Sequence, residues 1–244
     1  MLLAIDVGNT RIKYAVFEHH TLIEASFFDK SELEMVLQKI LKNFPKIVDL
    51  IVSSVGNAKI EAFSDIKKDL NLHVVSHTDA FPFENKYATP QTLGIDRMVL
   101  ATGAVLQFPN QNRLVIDAGT CITYDFIDAS DHYLGGAISP GIRLRYESLH
   151  NYTAKLPLLK KTEPLDFVGN STNESIHSGT INGLVYEIDG FIDHYRERYP
   201  NFIIILTGGD AEFLSKRLKN TIFANSNFLL ESLNQTFQYK IKND

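Results

Sequence analysis

Cysteine is nearly missing from this chain. Cys121 is the single one among 244 residues, which excludes an intrachain disulfide framework and any multi-cysteine zinc site and suits a reducing compartment. Set in an apolar run, it reads as a small buried filler rather than a nucleophile. No run of about 18 apolar residues occurs, and the chain opens on a strand-like segment without a basic leader, so neither a spanning helix nor a signal peptide is expected. Positive charge is also short: 24 Lys and Arg stand against 29 Asp and Glu, for a net charge of −5. No basic surface therefore advertises nucleic acid or an anionic membrane, and the plentiful aromatics are not interleaved with basic runs as in single-strand binders. The phosphate-binding Gly-x-x-x-x-Gly-Lys-Ser/Thr loop, the Gly-x-Gly-x-x-Gly turn and the protein-kinase signatures are all absent. None of the eight histidines has metal-ligand spacing, and the pair His19 and His20 falls at a turn. Small-molecule chemistry in the cytoplasm is the expectation that remains.

What is present is one phrase, twice. LLAIDVGNTRIKYAVF carries Asp6, Gly8 and Thr10, and LVIDAGTCITYDF carries Asp117, Gly119 and Thr120. In each, a buried-looking strand delivers a carboxylate to its end, a glycine lets the backbone turn closely, and a hydroxyl follows. Glycine keeps side-chain bulk off phosphate oxygens, and the aspartate suits Mg²⁺ directly or through water. A lone Asp-Gly hairpin is commonplace. Its repetition at matching places in two halves points to a polyphosphate and its cation.

Between these phrases strands and helices alternate, which gives an α/β class. Ser31 and Glu34 have capping-box spacing ahead of Leu37, Ile40, Leu41 and Phe44. IVDLIVSSV reads as a strand buried on both faces, Ala58–Leu70 as a helix, and HVVSH around Val74 as a strand. The stretch Thr78–Thr92, rich in Pro and aromatics, is a candidate binding loop. A helix is expected from near Ile95 to Phe108, followed by a linker around Asn110. The second half adds LGGAISPG, a helix over about Ile142–His150 with Ser139 and Pro140 resembling its cap and first turn, and a long helix over about Glu174–Tyr199. Gly179 and Gly183 on that helix suit close packing, within the subunit or across a dimer. FIIILTGGDA then ends a strand in a Gly-Gly turn, either a nucleotide contact or a tight strand-to-helix connection.

With the closed phosphate loops excluded, an open pair of β-turns is the solution left, as in actin, the heat-shock ATPases and sugar kinases. Within that superfamily the chain resembles the type III pantothenate kinases, through DVGNTRIK (Asp6–Lys13), YATPQTLGIDR (Tyr87–Arg97), DAGT (Asp117–Thr120), LGGAISPG with TAKLP ending at Pro157, GNSTNESIHSGTING (Gly169–Gly183) and TGGDA (Thr207–Ala211). The resemblance implies two ribonuclease-H-like domains, 1–113 and 114–244, with a nucleotide cleft between them, the final helix from about Leu233 either closing the second or returning to the first. It implies ATP-dependent phosphorylation of pantothenate to 4′-phosphopantothenate in a cytoplasmic homodimer. It also assigns roles: Asp6, Val7, Gly8, Asn9, Thr10, Arg11, Ile12 and Lys13 to the ATP phosphates, with Mg²⁺ at Asp6; Thr120 to the nucleotide; Asp117 to a potassium or ammonium ion; Tyr87, Gly94, Ile95, Asp96, Arg97 and Thr172 to pantothenate; and Asp96 to the catalytic base. LLESLN, around Ser232 and Leu233, departs from the Gly-Leu frequent there and leaves the local turn open.

Phosphorylating a primary alcohol needs a group that orients the hydroxyl and accepts its proton. Asp96 fits, although a carboxylate there also serves as a helix cap, and the helix dipole is expected to lower its pKa. Arg97 either pairs with the acceptor's carboxylate or covers the domain surface. A sugar or acetylamino-sugar kinase with another acceptor pocket, and a catalytically silent regulator keeping the nucleotide fold, are the alternative readings.

Overall fold

The computed structural model describes residues 1–54 and 70–243. In chain order the elements are β1 (Leu2–Val7), β2 (Ile12–Glu18), β3 (Thr21–Phe28), α1 (Leu33–Asn43), β4 (Asp49–Ser54), β5 (Asn71–Val74), β6 (Glu84–Asn85), α2 (Ile95–Gln107), β7 (Asn112–Ala118), β8 (Cys121–Ile127) and β9 (His132–Pro140). There follow α3 (Ile142–Asn151), α4 (Thr172–Arg198), β10 (Phe202–Thr207), α5 (Ala211–Ser215), β11 (Phe223–Ala224) and α6 (Phe228–Asn243). The helix read over Ala58–Leu70 falls on residues 58–69, outside the described residues.

Two compact units form. The first comprises residues 1–110, 127–134 and 227–244, the second residues 111–126 and 135–226. In the first, the sheet order is β3-β2-β1-β4-β5. β1 is antiparallel to β2 and parallel to β4, and its six residues are buried throughout because Leu2–Val7 face apolar layers on both sides. Leu3, Ile5, Ile12, Val16, Leu37 and Ile40 share its core. The second sheet has six strands, five of which repeat the order as β9-β8-β7-β10-β11, with β6 paired to the start of β9 at His132 and Tyr133; β7 is parallel to β10 over a core including Ile116, Ile122, Tyr124, Ile181 and Leu184. The duplicated phrase is thus a duplicated topology, each Asp-x-Gly turn joining the first two strands of its sheet.

Several local expectations change. The box ahead of α1 is built by Asp29 and Glu32 rather than Ser31 and Glu34: a 3₁₀ turn over Lys30–Glu32 precedes the helix, and Asp29 N donates to Glu32 Oε2 at 3.1 Å. Ser139 and Pro140 end β9, Gly141 is the cap residue of α3, and the Ser139 hydroxyl goes to Glu187 at 2.5 Å instead. LLESLN lies inside α6, with no turn. Ser232 donates to Phe228 O at 2.6 Å and packs against Gly103 of α2. α6 belongs to the first unit. Cys121 is half-buried rather than a fully buried filler. No helix among the described residues is long and apolar enough to cross a membrane.

Candidate active site

β1 carries Asp6 to its penultimate position, where Lys13 of β2 and Ser53 of β4 flank it in register. Asp6 is 5% exposed, and a buried carboxylate requires partners. Ser53 Oγ donates to Asp6 Oδ1 at 2.7 Å. The other oxygen faces the turn: a methyl built on Gly8 would lie 3.6 Å from Asp6 Oδ2. Burial pushes the Asp6 carboxyl up from 3.8 to about 6, opposed by the Ser53 hydrogen bond and Lys13 and assisted by the charge of Asp96. Asp6, Lys13 and Asp96 therefore share one electrostatic neighbourhood. Val7 and Ile12 lie in the core, so they offer a ligand backbone only. Gly8, Asn9 and Thr10 form the turn, and the Arg11 guanidinium rests on the Phe27 ring at 4.4 Å, 3.9 Å from Asp29.

Gly94 opens α2 and its carbonyl accepts from Arg97 N (3.1 Å) and Met98 N (3.2 Å). A side chain there would collide with Asp96, the methyl falling 2.4 Å from Asp96 Oδ1. That space lets the Asp96 carboxylate fold back over the helix start, where Oδ1 accepts from Arg97 N at 2.9 Å. Asp96 is not the cap residue, and its pKa is raised, not lowered: burial outweighs both the Arg97 amide and the Arg97 charge. The expectation of a dipole-weakened base is corrected accordingly. Ile95 is the first residue of α2.

Arg97 is buried at 6% exposure, which removes the reading of a stem covering the surface, and its guanidinium carbon sits 5.9 Å from the Tyr87 ring centroid. The loop bearing Tyr87 is tied down by Asn85 Oδ1 to Tyr87 N (2.9 Å), by the His77 ring to Leu93 O (2.8 Å), and by Glu84 N to Asp131 O and Lys86 N to Tyr133 O (both 2.9 Å). Fully buried Tyr133 wedges beneath it, its ring 6.0 Å from Phe83 and 6.1 Å from Tyr87. Ser53 and Tyr133 have no place in the sequence reading. The signal for Ser53 was a polar pair ending an otherwise apolar strand; for Tyr133 no local signal exists, since it arrives on the tip of the β8–β9 hairpin.

In the second unit Asp117 and Thr207 are neighbours in register. Gly208 has φ 95°, and a methyl there would lie 2.4 Å from Asp117 Oδ1 and 2.5 Å from Ala118 O. The Gly-Gly turn is thus a tight connection seated on the Asp117 turn, an approach only glycine permits. Asp210 N donates to Ala118 O and Gly141 N to Thr120 O, both at 3.0 Å. Asp210 also pairs with Lys161 at 2.6 Å. Thr172, the first residue of α4, lines a cavity of about 660 Å³ with Arg145, Ser148, Ser175 and Thr180. Glu187 fixes Arg145 there, accepting from Arg145 (2.6 Å), Ser139 (2.5 Å) and Tyr124 (3.1 Å).

No group of three or more His, Cys, Asp or Glu side chains among the described residues is poised to hold a metal. The oxygens present fit a looser arrangement. Mg²⁺ is commonly held by one or two carboxylates together with substrate phosphates, which suits Asp6 with Oδ2 turned toward Gly8. A monovalent ion needs only oxygens, and Asp117 lies beside a buried Thr207 hydroxyl that lacks a hydrogen-bond partner among the described residues.

A sequence model of the type III pantothenate kinases matches residues 2–194. A type III pantothenate kinase of Flavobacterium johnsoniae is 68% identical over 100% of both chains, and one of Flavobacterium psychrophilum is 60% identical over 98% of this chain and 100% of its own. Among solved structures, a chain assigned to the Baf family of transcriptional activators from Campylobacter jejuni superposes with a TM-score of 0.66 at 20% identity, covering 98% of this chain and 99% of that one. A glucokinase from an Antarctic psychrotroph gives 0.53 at 13% identity, covering 98% of each. At these identities the structural likeness shows the fold alone, that of the actin-like ATPases and sugar kinases.

Proposed function

We propose a division of labour among the residues of a chain that belongs to the type III pantothenate kinase family and phosphorylates pantothenate at the expense of ATP, a step of coenzyme A biosynthesis. The observation that carries it is the end of β1 in the first unit, where a buried Asp6 stands in register with Lys13 and accepts from the Ser53 hydroxyl at 2.7 Å.

Asp6–Lys13 take the ATP phosphates, with the turn's backbone amides on phosphate oxygens and Lys13 neutralising charge that develops in transfer. Asp6 would hold Mg²⁺, which would supply charge neutralisation at the phosphate oxygens. Thr120 contacts the nucleotide, and Asp117 would hold a potassium or ammonium ion. Tyr87, Gly94, Ile95, Arg97 and Thr172 take pantothenate, with the Arg97 guanidinium opposite its carboxylate. Asp96, anchored through the Arg97 amide, orients the primary hydroxyl and accepts its proton as the oxygen bonds to the γ-phosphorus and the bond from that phosphorus to the bridging oxygen breaks, that oxygen leaving with ADP. Its raised pKa makes it a better acceptor than an ordinary carboxylate. In a loose transition state the proton leaves late, so orientation matters as much as basicity.

A homodimer is proposed as well. Leu165, Phe167, Val168 and Tyr186 are 87%, 66%, 70% and 60% exposed, and among the described residues nothing lies within 4 Å of a methyl built on Gly179 or Gly183. That open face beside exposed apolar side chains supports a partner helix lying over it. The proposed location is the cytoplasm, where ATP is supplied.

The test is phosphorylation of pantothenate by ATP in potassium and in sodium, beside a panel of hexoses and acetylamino sugars. Pantothenate phosphorylation that needs potassium is expected. Equal activity in sodium alone removes the role given to Asp117, and turnover of a sugar in place of pantothenate removes the acceptor assignments.

A further inference from the structure

The two units carry a hydroxyl at the same position and use it differently. In the first, Ser53 of β4 pairs in register with Asp6 of β1 and donates to its carboxylate at 2.7 Å. The equivalent pair in the second unit is Thr207 of β10 and Asp117 of β7. Side chains in register on adjacent parallel strands share a face of the sheet at about 5 Å. Thr207 is 1% exposed, yet its Oγ1 has no hydrogen-bond partner among the described residues. An orphaned buried hydroxyl costs about 1–3 kcal/mol, so it calls for a ligand that only the working protein holds.

We propose that Thr207 Oγ1 is a protein ligand of the monovalent cation, completing with the Asp117 carboxylate an oxygen site at the ends of β7 and β10. This rests on the assignment of the ion to Asp117. The chemistry agrees: a hydroxyl oxygen with free lone pairs suits a hard cation of low charge, and a single carboxylate balances one positive charge. Gly208 keeps the place tight, since a methyl built on it would fall 2.4 Å from Asp117 Oδ1 and 2.5 Å from Ala118 O. In the first unit the hydroxyl is occupied as a donor, which reserves Asp6 Oδ2 for the turn; in the second it is left over as an acceptor.

The experiment compares wild type, Thr207→Val, Thr207→Ser and Asp117→Asn by thermal midpoint across a potassium titration in sodium buffer, with thallium(I) binding by ²⁰⁵Tl NMR as a direct readout. Valine matches threonine in shape without the hydroxyl, so folding is retained. In sodium, Thr207→Val should melt about 2–4 °C higher than wild type, through loss of an unpartnered polar group. Its half-saturating potassium concentration should rise about tenfold or more, the scale seen when a group supporting a metal site is lost, while Thr207→Ser stays within a few-fold of wild type. Unchanged potassium and thallium affinity in Thr207→Val, with loss in Asp117→Asn, overturns the role of Thr207 and leaves Asp117 in place. Wild type and Asp117→Asn alike showing no response to either ion overturns both.

Discussion

Replacing Asp6 by asparagine should stabilise the free protein while abolishing its use of Mg-ATP. The carboxyl is held at about 6 instead of 3.8, chiefly by burial. At about 1.4 kcal/mol per pKa unit, the ionised form is disfavoured by about 3 kcal/mol at neutral pH. Asparagine keeps an oxygen acceptor for Ser53 but brings an amide whose desolvation costs about 1–3 kcal/mol if unpaired. A net gain of up to about 2 kcal/mol in unfolding free energy follows, measurable by urea denaturation without nucleotide. The pH dependence has a definite sign. A carboxyl with a raised folded-state pKa favours the folded state at low pH, so wild type loses stability as pH rises from about 4 to about 6 and is level above that. Asparagine does not titrate. The variant's advantage should therefore be absent below pH 4, grow across that window and be constant at pH 7–8. Saturating Mg-ATP should reverse the order, stabilising wild type alone. A variant less stable than wild type at pH 7, or an advantage independent of pH, refutes the assignment of Asp6 as a strained buried anion.

Ser53→Ala removes the hydrogen bond that restrains Asp6, so it should lose about 1–3 kcal/mol at pH 7 and move the Asp6 titration, followed by carboxyl NMR, above about 6; an unmoved titration speaks against the contact. Gly208→Ala forces a side chain into φ 95° and onto Asp117, and should destabilise by at least about 2 kcal/mol in calorimetry. Because burial raises the Asp96 pKa, the acidic limb of kcat/KM for pantothenate should lie above the usual carboxylate range and vanish in Asp96→Asn. Gly183→Leu should turn a dimer into monomers in sedimentation equilibrium with helical content intact, and an undisturbed dimer contradicts the proposed helix face.

How much could be read in advance follows from the range of the forces involved. The phrases around Asp6 and Asp117 announce themselves because strand periodicity and Asp-Gly turn chemistry are local, and their repetition turned out as one strand order used twice. α2, from Ile95, was legible for the same reason. The direction of the Asp96 pKa was not, because helix dipoles are visible in a sequence and desolvation by distant chain segments is not. Likewise Ser139 looks like a helix cap until Glu187, 48 positions on, claims its hydroxyl. Tyr133 supports the Tyr87 loop from a hairpin tip that no spacing rule connects to it. Thr207 reads as one more β-branched strand residue, and its unpaired hydroxyl emerges only once β10 is set beside β7.

The most direct measurement is single-turnover transfer of the γ-phosphoryl group from ATP to pantothenate by wild type and Asp96→Asn, with ATP and pantothenate binding measured on both by calorimetry. Binding of both substrates near wild type, with transfer slowed at least about a hundredfold, is the predicted result. Transfer by Asp96→Asn at a rate close to wild type contradicts the account.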